Sequence, residues 1–156
     1  MTTDTAHGPL HHDLLPSEGE NVGAIGLGIY VKMTGADTNG AYSLFEYVVP
    51  TGLGGPPTHI HSREDELFIC VAGRVRIELD GQEHVLSPGA ALLMPRGVPH
   101  MFHNPFDEET RVIAVVSPPG LEDYYRALSQ LPPGRDMKLV GEVMDRFGLS
   151  LLKKPE

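Results

Sequence analysis

The sequence predicts an all-β domain that ends in a helical tail, and three observations carry that prediction. Its 18 glycines and 14 prolines fall between short apolar runs instead of gathering in one linker, which is how short strands joined by tight turns are punctuated. Arg74-Val75-Arg76-Ile77-Glu78-Leu79 alternates strictly and runs into Asp80-Gly81, a strong hairpin signal. After Pro118-Pro119-Gly120 the apolar residues change from period two to helical spacing. With 156 residues the chain is long enough for one domain with a real core. It divides into a flexible N-terminal arm at 1–21, a β domain at 22–120 and a helical extension of that domain at 121–156.

In chain order, the arm is polar and holds His7, His11 and His12, read as solvated side chains. Ile25 to Met33 reads as a strand, followed by the turn-rich stretch Thr34 to Gly40 and a second strand from Ala41 to Val49 that Pro50 ends. A Gly- and Pro-rich link covers Thr51 to Thr58. Glu66 to Ala72 is apolar on both faces: with Glu66 inward, Phe68 and Cys70 follow it, and Leu67, Ile69 and Val71 look out. An outward apolar row calls for cover from the arm or a second subunit, and a homodimer is expected. Val75, Ile77 and Leu79 point inward on the next strand, Gln82 to Leu86 returns, and Ala91 to Met94 and Thr110 to Ser117 complete the strands. Leu121 to Leu128 and Met137 to Phe147 are amphipathic helices, the second stopped by Gly148, with apolar faces expected against the outside of the sheets and a lid role as the alternative.

The formal net charge of −9 and pI near 5.3 argue against nucleic-acid or anionic-membrane partners. Cys70 is the single cysteine, so no intramolecular disulfide forms, and inside an apolar run it reads as a small buried hydrophobe. No signal-peptide pattern or membrane-length apolar run is present, and a cytoplasmic location is expected.

The chemistry concentrates in two turns. His59-Ile60-His61 places two imidazoles on one side of an extended segment. Glu66 opens the apolar run that follows, with Asp65 as its rival. Pro95-Arg96-Gly97-Val98-Pro99-His100 delivers a third imidazole after another apolar run. Three imidazoles and a carboxylate at strand ends suit one divalent transition metal that keeps positions open for a substrate. Phe102 shares the His100 side of its strand, and Phe68, Met94 and Tyr47 are further candidates to line the pocket. His103 points opposite to His100 and reads as a surface residue, as does His84.

These residues resemble the cupin superfamily. Its first motif is a glycine, five residues, His-x-His, three or four residues, Glu, six residues and Gly, which His59, His61, Glu66 and Gly73 fit. Leu53, flanked by Gly52 and Gly54, stands in the opening glycine slot. The second motif, Gly, five residues, Pro-x-Gly, two residues, His, three residues and Asn, is matched by Gly89, Pro95, Gly97, His100 and Asn104. The resemblance spans Ala41 to Ser117. Arg63-Glu64-Asp65-Glu66-Leu67-Phe68 and Leu121-Glu122-Asp123-Tyr124-Tyr125 look like the bacterial monocupins labelled quercetin-dioxygenase-like. The resemblance implies a double-stranded β-helix, a jelly roll with helices outside it, and Fe, Mn, Ni, Cu or Zn on His59, His61, Glu66 and His100.

The function it implies is a mononuclear metal-dependent dioxygenase acting on a small phenolic or enolic substrate, with Glu66 as ligand and as base toward the substrate hydroxyl. The alternatives are a non-redox metal-dependent isomerase, cyclase or decarboxylase, and a non-catalytic small-ligand binding module.

Overall fold

The alternating stretches pair into two facing antiparallel sheets. The structure, a computed structural model, describes residues 13–134 and 136–152. Its elements are β1 (Glu20–Asn21), β2 (Gly28–Met33), β3 (Ser43–Val49), β4 (His59–His61), β5 (Asp65–Ala72), β6 (Val75–Leu79), β7 (Gln82–Leu86), β8 (Ala91–Met94), β9 (His100–His103), β10 (Thr110–Ser117), α1 (Leu121–Ser129), α2 (Met137–Arg146) and β11 (Leu149–Leu151). One sheet runs β1-β2-β3-β10-β5-β8 and the other β11-β4-β9-β6-β7, the jelly-roll arrangement the sequence implied.

Period-two patterning sets which side chains meet between the sheets. On β5, Glu66, Phe68 and Cys70 are buried, while Leu67 and Ile69 are half-buried on the other face. Phe45, Tyr47, Phe68 and Val112 from the larger sheet pack toward Val75, Ile77 and Phe102 from the smaller one, each aliphatic or aromatic side chain contributing about 1.5–3 kcal/mol by leaving water. Asp80 and Gly81 both have positive φ, 51° and 76°, the backbone that a two-residue hairpin turn between β6 and β7 requires. The outward row is equally regular: Leu44 registers with Val115, Val115 with Leu67, and Leu67 with Leu93.

Two segments depart from expectation. The part of the N-terminal arm that is described lies on its own sheet. Lys32 Nζ donates to the carbonyls of Leu15 (2.6 Å) and Glu18 (2.7 Å), Ser17 N–H donates to Glu46 Oε2 (3.0 Å), and β1 pairs with β2. His7, His11 and His12 fall outside the described residues. The second departure is β11, a strand beyond Gly148 that pairs antiparallel with β4 (Leu149↔His61, Leu151↔His59). Gly148 has a φ of +76°, and a Cβ there would come within 2.7 Å of Ser62 Oγ and Arg63 Nε. Only glycine both turns the chain and lets it run this close to β4. Ser62 N–H and Oγ–H then both donate to the Gly148 carbonyl, at 2.9 and 2.7 Å.

The helices lie outside the strands, yet their apolar faces do not rest on the outside of the sheets. They cover the open end of the barrel, where Tyr124, Tyr125, Leu128, Val140 and Met144 line a pocket that reaches His59 and His61. Glu122 fixes the start of α1: it accepts from Ser43 Oγ (2.5 Å), Gly120 N–H (3.0 Å) and Gly35 N–H (3.2 Å). Among the described residues no helix is long and apolar enough to cross a membrane.

Candidate metal centre

β4 has the pattern buried, half-buried, buried, so His59 and His61 both face inward. His59 registers with His100 on β9. The turn that delivers His100 is tied to the same strand by Gly97 N–H, which donates to the His61 carbonyl at 2.8 Å. One potential ligand nitrogen from each of His59, His61 and His100 lies within 4.8 Å of the other two, and all three residues are buried.

The outward nitrogens of the three rings are engaged. His59 Nδ1 is 2.9 Å from the Pro57 carbonyl, His100 Nδ1 is 3.1 Å from the Val98 carbonyl, and His61 Nδ1 is 3.3 Å from Glu64 Oε2. These acceptors hold the Nδ1–H tautomer and leave the Nε2 lone pairs facing the interior, as metal-ligating histidines are held. Glu66 reaches the same space from the opposite sheet. Its Oε2 is 3.4 Å from His100 Nε2 and 3.9 Å from His61 Nε2, and its Oε1 accepts from Tyr47 Oη at 3.2 Å. Tyr125 of α1 completes the chain, its hydroxyl 2.8 Å from that of Tyr47.

Burial and mutual charge shape the site. Burial, then the charges of His100 and His61, hold His59 down at about 3, so it is a neutral donor at any ordinary pH. At Glu66 burial favours the acid, but His100, His61 and His59 together outweigh it and leave the carboxyl below its usual range. His100 moves the other way: burial pulls it down, and the Glu66 carboxylate lifts it above the usual imidazole range. Burial pushes the Tyr47 and Tyr125 hydroxyls well up, so both stay protonated and serve as donors.

The residues fit a divalent metal. His100 Nε2 is buried with no hydrogen-bond partner, since the Glu66 contact lacks hydrogen-bond geometry. An unpaired buried polar atom costs about 1–3 kcal/mol, and a metal held by three imidazole nitrogens with Glu66 beside them relieves it. The nitrogen and carboxylate donors suit Fe, Mn, Ni, Cu or Zn.

Asp65, the rival of Glu66, faces out and accepts from Arg96 N–H (2.9 Å) and Nε–H (3.1 Å). Of the four pocket candidates, Phe102 lines the cavity. Tyr47, Phe68 and Met94 are fully buried in the core instead, with Tyr47 acting only through its hydroxyl. His103 alternates away from His100 and registers with Arg76, and Cys70 is buried. In the link before β4, Gly52 supplies the positive φ of 72° next to Leu53, whose carbonyl accepts from Asn104 N–H. The site also contains two groups that the sequence did not single out, Glu64 and Tyr125. Glu64 stands three residues after His61, a spacing that could have flagged it.

The cupin domain model matches residues 45–116, the part of the chain that carries the three imidazoles, Glu66 and the strands β4 to β9. This stretch is a cupin domain. An RmlC-like cupin from Shewanella frigidimarina superposes with a TM-score of 0.59 at 23% identity, covering 73% of this chain and 96% of that one. The polyketide cyclase RemF from Streptomyces resistomycificus gives a TM-score of 0.52 at 27% identity over 60% of this chain and 66% of that one. Among curated proteins, polyketide synthase CurC from Streptomyces cyaneus is 35% identical over 60 residues, 38% of this chain and 39% of CurC. The match thus spans well under half the length of that relative.

Proposed function

We propose that this protein is a metal-dependent cupin enzyme that performs redox-neutral proton-transfer chemistry, of the cyclase type, on a small phenolic or enolisable carbonyl compound. The observation that carries this reading is the split position of Glu66, with one carboxylate oxygen among the imidazoles and the other held by Tyr47. A divalent metal, when bound by His59, His61 and His100 with Glu66 beside them, would supply Lewis acidity toward a substrate oxygen. The Glu66 carboxylate takes the proton from the carbon next to that carbonyl, or from the enol hydroxyl. Tyr47 holds the second oxygen so that the first stays aimed at the substrate, and Tyr125 donates to Tyr47. The resulting enolate carbon bonds to a second carbonyl carbon of the same molecule, and the proton on Glu66 passes to the new alkoxide oxygen. No oxidant is consumed. The apolar walls from Phe102, α1 and α2 keep water from quenching the enolate. The likeness to a polyketide cyclase supports this order of preference.

A second reading, dioxygenation of the same substrates, rests on the same residues, since a redox-active metal held by them would supply chemistry toward dioxygen as well as toward the substrate. Product analysis under nitrogen with metal-loaded protein and a linear β-polyketone tests the choice. Cyclised product that disappears in Glu66→Gln is expected. Turnover that requires dioxygen and consumes it in proportion to product would overturn the cyclase reading in favour of dioxygenation.

A further inference from the structure

The walls of the pocket carry information about the shape of its ligand. α2 sends Met137, Val140 and Met144 along one stripe, at positions i, i+3 and i+7. The stripe begins in water and ends in the core: Met137 is 53% exposed and Met144 only 5%. It covers about 10 Å of helix at the usual rise per residue. β11 repeats the gradient on the other side, from Leu149 at 3% to Leu151 at 39%. Both stretches line the pocket that holds His59, His61 and Glu66, with Leu149 opposite His61 and Leu151 opposite His59.

Two facts make this more than a lined cavity. The interior space open to a ligand is about 130 Å³, close to the ~150 Å³ of an apolar cavity that accommodates one benzene. The apolar lining nevertheless continues past that interior, onto the exposed Met137 and Leu151.

We propose that the ligand is amphiphilic and longer than one ring: a polar enol or phenol head at the imidazoles, a first ring in the interior, and a hydrophobic body leaving between Met137 and Leu151. The inference rests on the preceding reading for the head group, and on α2 and β11 for the body. Selectivity for length then resides in the C-terminal segment and not in the barrel.

The test uses the full chain loaded with cobalt(II) and a series of para-alkylphenols from methyl to hexyl, with affinity measured by calorimetry. Affinity should rise about fourfold for each methylene taken out of water and level off once the chain passes the mouth. In Met137→Asp/Leu151→Thr the hexyl compound should lose about tenfold while phenol is unaffected. Aspartate at the first turn of a helix and threonine in a strand are both compatible with the fold. Affinity that is independent of chain length, equal gains in the variant, or no binding of any phenol overturns the proposal. The cobalt absorption band reports separately on the head. A chain-length series with an unchanged band supports the apolar path and refutes the placement of the oxygen. A shifted band with a flat series does the reverse.

Discussion

Two clusters of buried ionisable side chains, one on the outer face of the larger sheet and one between the two sheets, differ in one respect. On the outer face, Lys32 and Glu46 pair at 3.0 Å with side chains 7% and 4% exposed. All three ammonium hydrogens find acceptors in Leu15, Glu18 and Glu46, and both Glu46 oxygens are taken by Lys32, Arg111 and Ser17. Between the sheets, His100 Nε2 makes no hydrogen bond and meets only the Glu66 carboxylate at 3.4 Å, while His59 and His61 engage their Nδ1 atoms outward. A saturated cluster holds the chain in place. An unsaturated one keeps a donor atom available to a ligand.

The largest effect that would break this contrast concerns metal. His59→Ala/His100→Ala should reduce metal content from about one ion per chain to none, since a stable site needs at least three protein donors. Elemental analysis reads this directly. A chelator should lower the melting temperature of the wild type and leave that of the variant unmoved, because only a protein that binds the ion is stabilised by it. Equal metal content in both proteins would show that the inner cluster is not the site.

Next comes the outer cluster. Glu46→Ala leaves the Lys32 ammonium buried without its counter-ion, and breaking a buried pair in this way costs about 3–5 kcal/mol. Urea unfolding measures it. The metal content of this variant should stay at the wild-type value under native conditions. A loss of metal at unchanged stability would mean that the two faces are not separate in role.

The contrast also explains how far the sequence could be read. β7, β8 and β10 match their expected limits to the residue, because each is a period-two run bounded by Gly, Pro or charged turns. The three histidines that meet were legible from alternation and turn placement, whereas the choice of Glu66 over Asp65 rests on its place at the start of the strand and its interval to Gly73 in the motif the chain resembles. The placement of the helices was not legible. An amphipathic stripe shows which face is buried but not against what, and the stripe of α2 meets a cavity. β11 is three residues long and is defined by its pairing with β4, about ninety positions earlier in the numbering. Glu64 sits in the turn between β4 and β5, where alternation makes no statement about direction. Tyr125 reaches the site only because Glu122 docks the start of α1 against Ser43.

Glu64 gives the third test, and it sharpens the comparison within the inner cluster. Its carboxylate is 5% exposed and engages the Nδ1 of His61. Removing such an outer partner of a ligating histidine lowers metal affinity about 10–100-fold. Glu64→Ala should therefore retain the site but lose the ion to a weaker chelator than the wild type does. Undiminished affinity in competition titrations would leave Glu64 a mere surface of the turn.

The smallest effect asks whether saturation marks structural clusters in general. Glu122 is buried, and its two oxygens are filled by Ser43, Gly120 and Gly35. Burial raises its pKa, but those donors outweigh it and hold the carboxyl below its ordinary value of 4.5. The unfolded chain, with the ordinary value, then binds more protons than the folded chain in the window just under 4.5. The stability that Glu122 contributes is fully present above that pH and is lost as pH falls through the depressed folded value. Glu122→Gln has no such proton to take up. The difference in unfolding free energy between wild type and variant should be largest near neutrality and close as the solution is acidified, while metal content is the same in both. A gap that stays constant with pH would show that the Glu122 carboxylate is bound no more favourably in the folded protein than in water, and that filled oxygens alone do not identify a structural cluster.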